Sequence, residues 1–177
     1  MSVPIIFLVF LFISAGNVWF SWKPLHEPHS HGFYRFFAFE TVLLLVLMNI
    51  SVWFVDPLSP RQIISWILLI ISIFMVVHAV YLLHQTGKPE GNFENTTVLV
   101  LRGAYHFIRH PMYSSLVYFV WGVFLKRPSI PGACLCLVTM VFLYAAARVE
   151  EAENILHFGD AYKEYTKKTK MFIPYIF

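Results

Sequence analysis

The chain is short of charge. Asp, Glu, Lys and Arg make up 13% of its 177 residues, against about 25% in soluble domains. That leaves too little polar surface for a soluble globular protein. Cysteine is scarce as well, with Cys134 and Cys136 the two present. They lie two apart in an apolar run and would face different directions on a helix, so they read as lipid- or core-facing thiols, not as a disulfide or a metal pair. The net charge is only +3. The basic residues sit beside apolar segments, which suits an anionic membrane surface and argues against nucleic acid. No lysine or arginine precedes the first apolar run, residues 3–20. A cleaved signal peptide wants such a start, so this run reads as a retained span. There is no repeat, no low-complexity tract and no boundary between soluble domains.

What is present is hydrocarbon, 58% by residue. A helix needs about 20 apolar residues to cross a bilayer core. Residues 3–20, 36–55, 63–83, 113–125 and 130–147 give five candidate spans, the last two split by Lys126-Arg127-Pro128-Ser129. The fourth is short, roughly 20 Å of helix. Either Lys126 and Arg127 snorkel, or the Arg-His-Pro turn at its start is drawn into the headgroup layer.

Alternate loops differ in basic charge. Arg61, Lys126 and Arg127 lie on one side, and the other ten of the thirteen lysines and arginines on the opposite side. The positive-inside rule then predicts a cytoplasmic C-terminus. The same count puts the Arg109–His110–Pro111 turn, Glu150, Glu151, the loop 84–95 and the tail on that side. Trp19, Trp22, Trp53 and several tyrosines near span ends read as an interface belt.

Residues 109–113, Arg-His-Pro-Met-Tyr, are the most informative stretch. Pro111 favours a first helical turn, which would point the amides of Met112, Tyr113 and Ser114 outward. With Arg109 and His110 beside them this makes an anion site; a basic topological loop with a proline helix start is the alternative. Glu150 and Glu151 close the last apolar segment. Either Glu151 pairs with Arg148 at i, i+3, or a carboxylate there binds ribose hydroxyls, an ammonium or another cation. Glu40 and His78 are ionisable residues inside spans, where such groups default to function. Asn17 and Asn49 are expected to bond between helices. His26, His29 and His31 read as a surface loop, and no metal site is expected.

The order Leu99-Val100, Gly103, Tyr105, Arg109-His110-Pro111-Met112-Tyr113, Glu150-Glu151, Phe158-Gly159, Tyr162, Tyr165 and Pro174 resembles the isoprenylcysteine carboxyl methyltransferase family, including its prokaryotic members. The resemblance covers the last half of the chain; the first three spans match it in hydropathy. It implies an all-α polytopic membrane enzyme with about five transmembrane helices, the last two a hairpin. The cofactor pocket would face the cytoplasm. Residues 1–177 would be one domain, with three spans in 1–83 and the cofactor loop, hairpin and C-terminal segment in 84–177. It also implies S-adenosyl-L-methionine, lined by Thr97, Val98, Leu99, Val100 and Tyr105, held by Arg109, His110, Pro111, Met112 and Tyr113, and contacted by Glu150. Two positions depart from the family pattern: Ser115 replaces a frequent glycine, and Ala146 stands where a substrate-binding arginine is usual. The nearest arginine is Arg148, and Arg148 and Glu151 are the candidate catalytic residues.

The resemblance implies methyl transfer to a lipophilic, membrane-partitioned acceptor, a carboxylate such as isoprenylcysteine. A carboxylate needs no general base, so orientation and exclusion of water would carry the reaction. The partners expected are the bilayer and a lipophilic or prenylated substrate. The alternatives are a phospholipid or amine N-methyltransferase, with Glu151 or His110 as base, an NADPH-dependent sterol-type reductase, and a non-enzymatic membrane scaffold.

Overall fold

The structure, a computed structural model, describes residues 3–88 and 96–176. Seven α-helices carry it: α1 (Val3–Phe20), α2 (Trp22–Leu25), α3 (His31–Asn49), α4 (Pro60–Thr86), α5 (Pro111–Lys126), α6 (Ile130–Phe158) and α7 (Asp160–Lys168). Two 3-10 turns, Ile50–Val52 and Gly103–His106, join them. No strand is formed among the described residues. The five apolar runs all appear as helices, with revised limits. α3 starts at His31, which places that histidine on a helix and not in a loop. α4 runs on to Thr86, so residues 84–86 belong to it; of the expected loop 84–95, residues 89–95 lie outside those described.

Among the described residues, three helices are long and apolar enough to cross a membrane: His31–Val52, Pro60–Thr86 and Ile130–Phe158. Of the five candidate spans, the second, third and fifth are of that kind. The apolar part of α1, Pro4–Phe20, is shorter, and α5 has 16 residues, about 24 Å at 1.5 Å per residue. α6 has 29, about 43 Å, so Glu150 and Glu151 do not end a helix but sit within its continuation. The outward strip of α4, Ile63, Ile67, Ile70, Phe74, Val77 and Tyr81, is exposed. An apolar strip of that extent fits lipid rather than water.

The chain divides into two compact units. The first comprises Met1–Leu69 and Phe119–Glu150. Its core joins Leu45 of α3, Leu69 of α4, Val120 and Val123 of α5, and Cys136 of α6. Cys134 is exposed, so the two thiols do face apart. Polar side chains inside this unit bond to one another, because hydrocarbon offers no water to them. Glu40 accepts from Ser14 Oγ and from Asn17 Nδ2, each at 2.8 Å, so Asn17 bridges helices as expected. Asn49 does not: its Nδ2 donates to Leu45 O at 2.8 Å, within its own helix. Thr41 and Thr139 share a hydrogen bond of 2.8 Å between α3 and α6.

Lys126 does not snorkel. It is 1% exposed, and its Nζ donates to Gln62 Oε1 at 3.0 Å and lies 3.5 Å from the centre of the Trp66 ring. Gln62 in turn donates from Nε2 to Val52 O and Val55 O. Trp53, expected in the interface belt, lies 5.6 Å from the same ammonium.

The second unit comprises Ile70–Tyr118 and Glu151–Phe177. Ala79 and Leu83 of α4 pack there with Val100 and Tyr105, and Leu82 and Met112 border them.

Candidate functional site

The site residues of the second unit are held by the chain that follows α7. Residues 107–110 and 169–171 run side by side, with a parallel bridge between Ile108 and Lys170. Lys170 N donates to Phe107 O at 3.1 Å, Arg109 N to Lys170 O at 2.8 Å, and His110 N to Met171 O at 3.1 Å. The backbone of the Arg-His pair is thus fixed before any side chain is considered. Ser114 Oγ adds a bond of 2.7 Å to Phe172 O. The Tyr165 hydroxyl donates to Tyr105 O at 2.6 Å. Burial pushes the Tyr165 phenol well above its usual range, so this donor keeps its proton.

Pro111 is the first residue of α5, as its fixed φ favours. Ser114 N donates to His110 O at 2.9 Å, the first bond of the helix. The expectation that the Ser114 amide points outward is therefore corrected. Met112 and Tyr113 supply the second and third amides, which project along the axis from a helix start.

The basic pair faces a carboxylate. Arg109 Nε donates to Glu151 Oε1 at 2.6 Å. Its Nη1 reaches Thr169 O at 2.5 Å and Thr166 O at 3.3 Å, so the guanidinium also covers carbonyls at the end of α7, where a cation is favoured. His110 Nε2 lies 3.5 Å from the same Glu151 oxygen. The His110 side chain is 2% exposed, and its ring stacks on Tyr113, with centroids 5.4 Å apart. Arg109, His110 and Glu151 therefore form one buried cluster beneath the start of α5. Glu151 serves there as the shared acceptor, paired with Arg109 and not with Arg148, the partner that one of its two sequence readings offered.

The other expected residues divide by location. Val100 and Tyr105 are buried beside Met112. Leu99 is half-buried, and Thr97 and Val98 are exposed. Both of those amides donate to Gly87 O, at 3.0 and 3.1 Å, which ties the segment to the end of α4. Arg148 and Glu150 belong to the first unit; Arg148 is exposed and Glu150 half-buried. Ala146 is wholly buried in that unit. Among the described residues, no group of three or more His, Cys, Asp or Glu could hold a metal.

Sequence reasoning assigned no part to Ser114 Oγ, Thr169 or Tyr165, although they pin the turn. Tyr165 was visible as a motif tyrosine, but its partner is a backbone carbonyl 60 residues away, and no local pattern announces that.

Comparison with known proteins gives the family. Methanethiol S-methyltransferase 1 of Bradyrhizobium diazoefficiens is 28% identical over 167 residues, covering 84% of this chain and 56% of its own length. Methanethiol S-methyltransferase of Crocosphaera subtropica is 25% identical over 165 residues, with 85% and 63% covered. Protein-S-isoprenylcysteine O-methyltransferase of Schizosaccharomyces pombe is 33% identical over 82 residues, with 45% and 34% covered. The chain thus spans less than two thirds of the length of these relatives. The family profile for phospholipid methyltransferase matches residues 60–161, which include α4, α5, the turn between them and the Arg109–His110–Glu151 cluster. By that match, over more than half of its length, the chain belongs to the phospholipid methyltransferase family.

Proposed function

We propose that the chain is an S-adenosylmethionine-dependent methyltransferase acting on a small lipophilic thiol that partitions into the bilayer. The observation that carries this reading is the start of α5, where Pro111 opens the helix above the buried Arg109–His110–Glu151 cluster. Such a helix start receives a carboxylate. The apolar side of Val100, Tyr105 and Met112 next to it suits the rest of an amphiphilic cofactor, and a tyrosine face favours a sulfonium. Met112 and Tyr113 would hold the amino-acid end, and Val100 and Tyr105 would wall it. When bound, the cofactor supplies an electrophilic methyl group on a positively charged sulfur. The protein's own part is to fix the donor, exclude water and admit the acceptor along the membrane.

The acceptor class follows from Ala146. A carboxylate substrate needs a cation, and the position expected to provide one is a buried methyl group. A thiol makes no such demand, and the methanethiol S-methyltransferases are the relatives matched over most of this chain. A carboxylate acceptor is the second reading, favoured by the 33% identity to the isoprenylcysteine enzyme. The excess of basic residues supports a cytoplasmic position for the site and the C-terminus.

The test uses the full chain in lipid nanodiscs. S-adenosylhomocysteine is expected to bind, less tightly after Tyr113→Ala, and labelled methyl from S-adenosylmethionine is expected to appear on an alkanethiol. Binding of NADPH instead would give the reductase reading, and binding of neither would leave a scaffold. Transfer to a prenylcysteine carboxylate but to no thiol would select the second reading.

A further inference from the structure

A neutral thiol has a proton to lose, and the cluster beneath α5 offers no obvious base. Glu151 is held by Arg109 at 2.6 Å, and His110 faces the same carboxylate oxygen. Two more imidazoles of this unit lie on α4: His84, exposed in its last turn, and His78, six residues before it. His78 is in the span Pro60–Thr86 and is half-buried. Its ring stacks on Phe74, with centroids 5.9 Å apart and planes 4° from parallel. Its Nε2 approaches Gly103 so closely that a Cβ there would sit 2.6 Å away.

That placement matters for the acceptor. Gly103 begins the turn that carries Tyr105. Leu82, one helical turn from His78 on the same face of α4, packs against the Val100–Tyr105 cluster. His78 therefore lies about 6 Å further along α4, towards the middle of the span. A lipophilic acceptor coming from the bilayer meets this level before it reaches the Tyr105 wall. Among the described residues, the ring contact with Phe74 is the one interaction His78 makes, so no structural bond accounts for an ionisable group at this depth. An imidazole within reach of the reacting proton is the commonest general base.

We propose that His78 is the general base of the reaction, accepting the S–H proton of the thiol at Nε2 as the sulfur takes the methyl group. The S–H and donor S–CH3 bonds break, the acceptor S–CH3 bond forms, and the products are a thioether and neutral S-adenosylhomocysteine. The proton then passes from His78 to water. This rests on the thiol reading above.

The test compares two acceptors in the full chain in nanodiscs: a straight-chain alkanethiol, protonated at neutral pH, and an electron-poor arenethiol already ionised there. His78→Gln is expected to lower the alkanethiol rate at least about 100-fold more than the arenethiol rate, within the usual contribution of a general base. Added imidazole is expected to restore alkanethiol turnover in His78→Ala. S-adenosylhomocysteine binding by both variants reports that the fold persists. Equal loss with both thiols, or no loss with either, overturns the role of His78 while leaving thiol transfer intact. A wild-type chain that binds S-adenosylhomocysteine but methylates neither thiol overturns the acceptor reading itself, and the base with it.

Discussion

Arg109 Nε and Glu151 Oε1 lie 2.6 Å apart, joining residues separated by 42 positions. Their side chains are 11% and 10% exposed. Breaking such a pair from one side leaves an uncompensated buried charge, at about 3–5 kcal/mol. Glu151→Ala is expected to lose that much, because both Arg109 and His110 point at the vacated oxygen. The double variant Arg109→Met, Glu151→Leu removes both charges and is expected to be less destabilised than the sum of its single changes. Thermal inactivation of S-adenosylhomocysteine binding measures both. A double variant that loses the full sum of the two single losses would show that the pair is not coupled.

Tyr165 makes the second long-range tie, through its hydroxyl to Tyr105 O at 2.6 Å. Tyr165→Phe leaves that buried carbonyl without its donor, a loss of about 1–3 kcal/mol. The pH consequence has a definite sign. The folded phenol titrates above its ordinary value of 10.0 because of burial, so the folded state holds this proton more tightly than the unfolded one. The stabilisation is complete below about pH 10 and declines as pH rises further. Unfolding midpoints across the alkaline range are expected to fall more steeply for wild type than for Tyr165→Phe.

The contrast between these ties and the helices shows what a sequence can disclose. Pro111 announced the start of α5, since its φ is fixed by its own ring. Asn17 announced a partner between helices, since hydrocarbon gives an amide few alternatives. Asn49 misled for the same reason: a carbonyl four residues back in its own helix satisfied it. The order of the motif was legible, but the meaning of Glu151 was not. From sequence its nearest basic neighbour is Arg148, three residues away; in space it is Arg109, brought there when residues 169–171 align with 107–110. Backbone pairing of that kind depends on no particular side chain and so leaves no residue pattern to read.

Lys126 offers a test in the first unit. Its ammonium sits on the Trp66 face at 3.5 Å and donates to Gln62 at 3.0 Å. Lys126→Ala removes a desolvated cation–π contact and strands a buried amide oxygen, about 2–4 kcal/mol together. Lys126→Met fills the volume without the charge and is expected to recover part of that. Tryptophan emission should change in both variants. An Ala variant as stable as wild type would show that the ammonium contributes nothing net in this cage.

Gly103 joins the fold to the proposed chemistry. Its φ of +58° is one that side-chain-bearing residues rarely adopt, and an added Cβ would lie 2.6 Å from His78 Nε2 and 2.7 Å from Leu82 Cδ1. Both neighbours are ends of side chains, so the turn can accommodate a methyl group only by moving them or itself. Gly103→Ala is therefore expected to destabilise by about 1–3 kcal/mol and to displace Tyr105. S-adenosylhomocysteine affinity should then fall by about tenfold, equivalent to roughly 1.4 kcal/mol. Adding His78→Ala opens space on one side of the new methyl group, and residues in contact couple by about 0.5–3 kcal/mol. The double variant is expected to bind more tightly than Gly103→Ala alone, as read by titration in nanodiscs. If His78→Ala brings no recovery, strain in the backbone at Gly103, and not the closeness of the imidazole, sets the position of the turn.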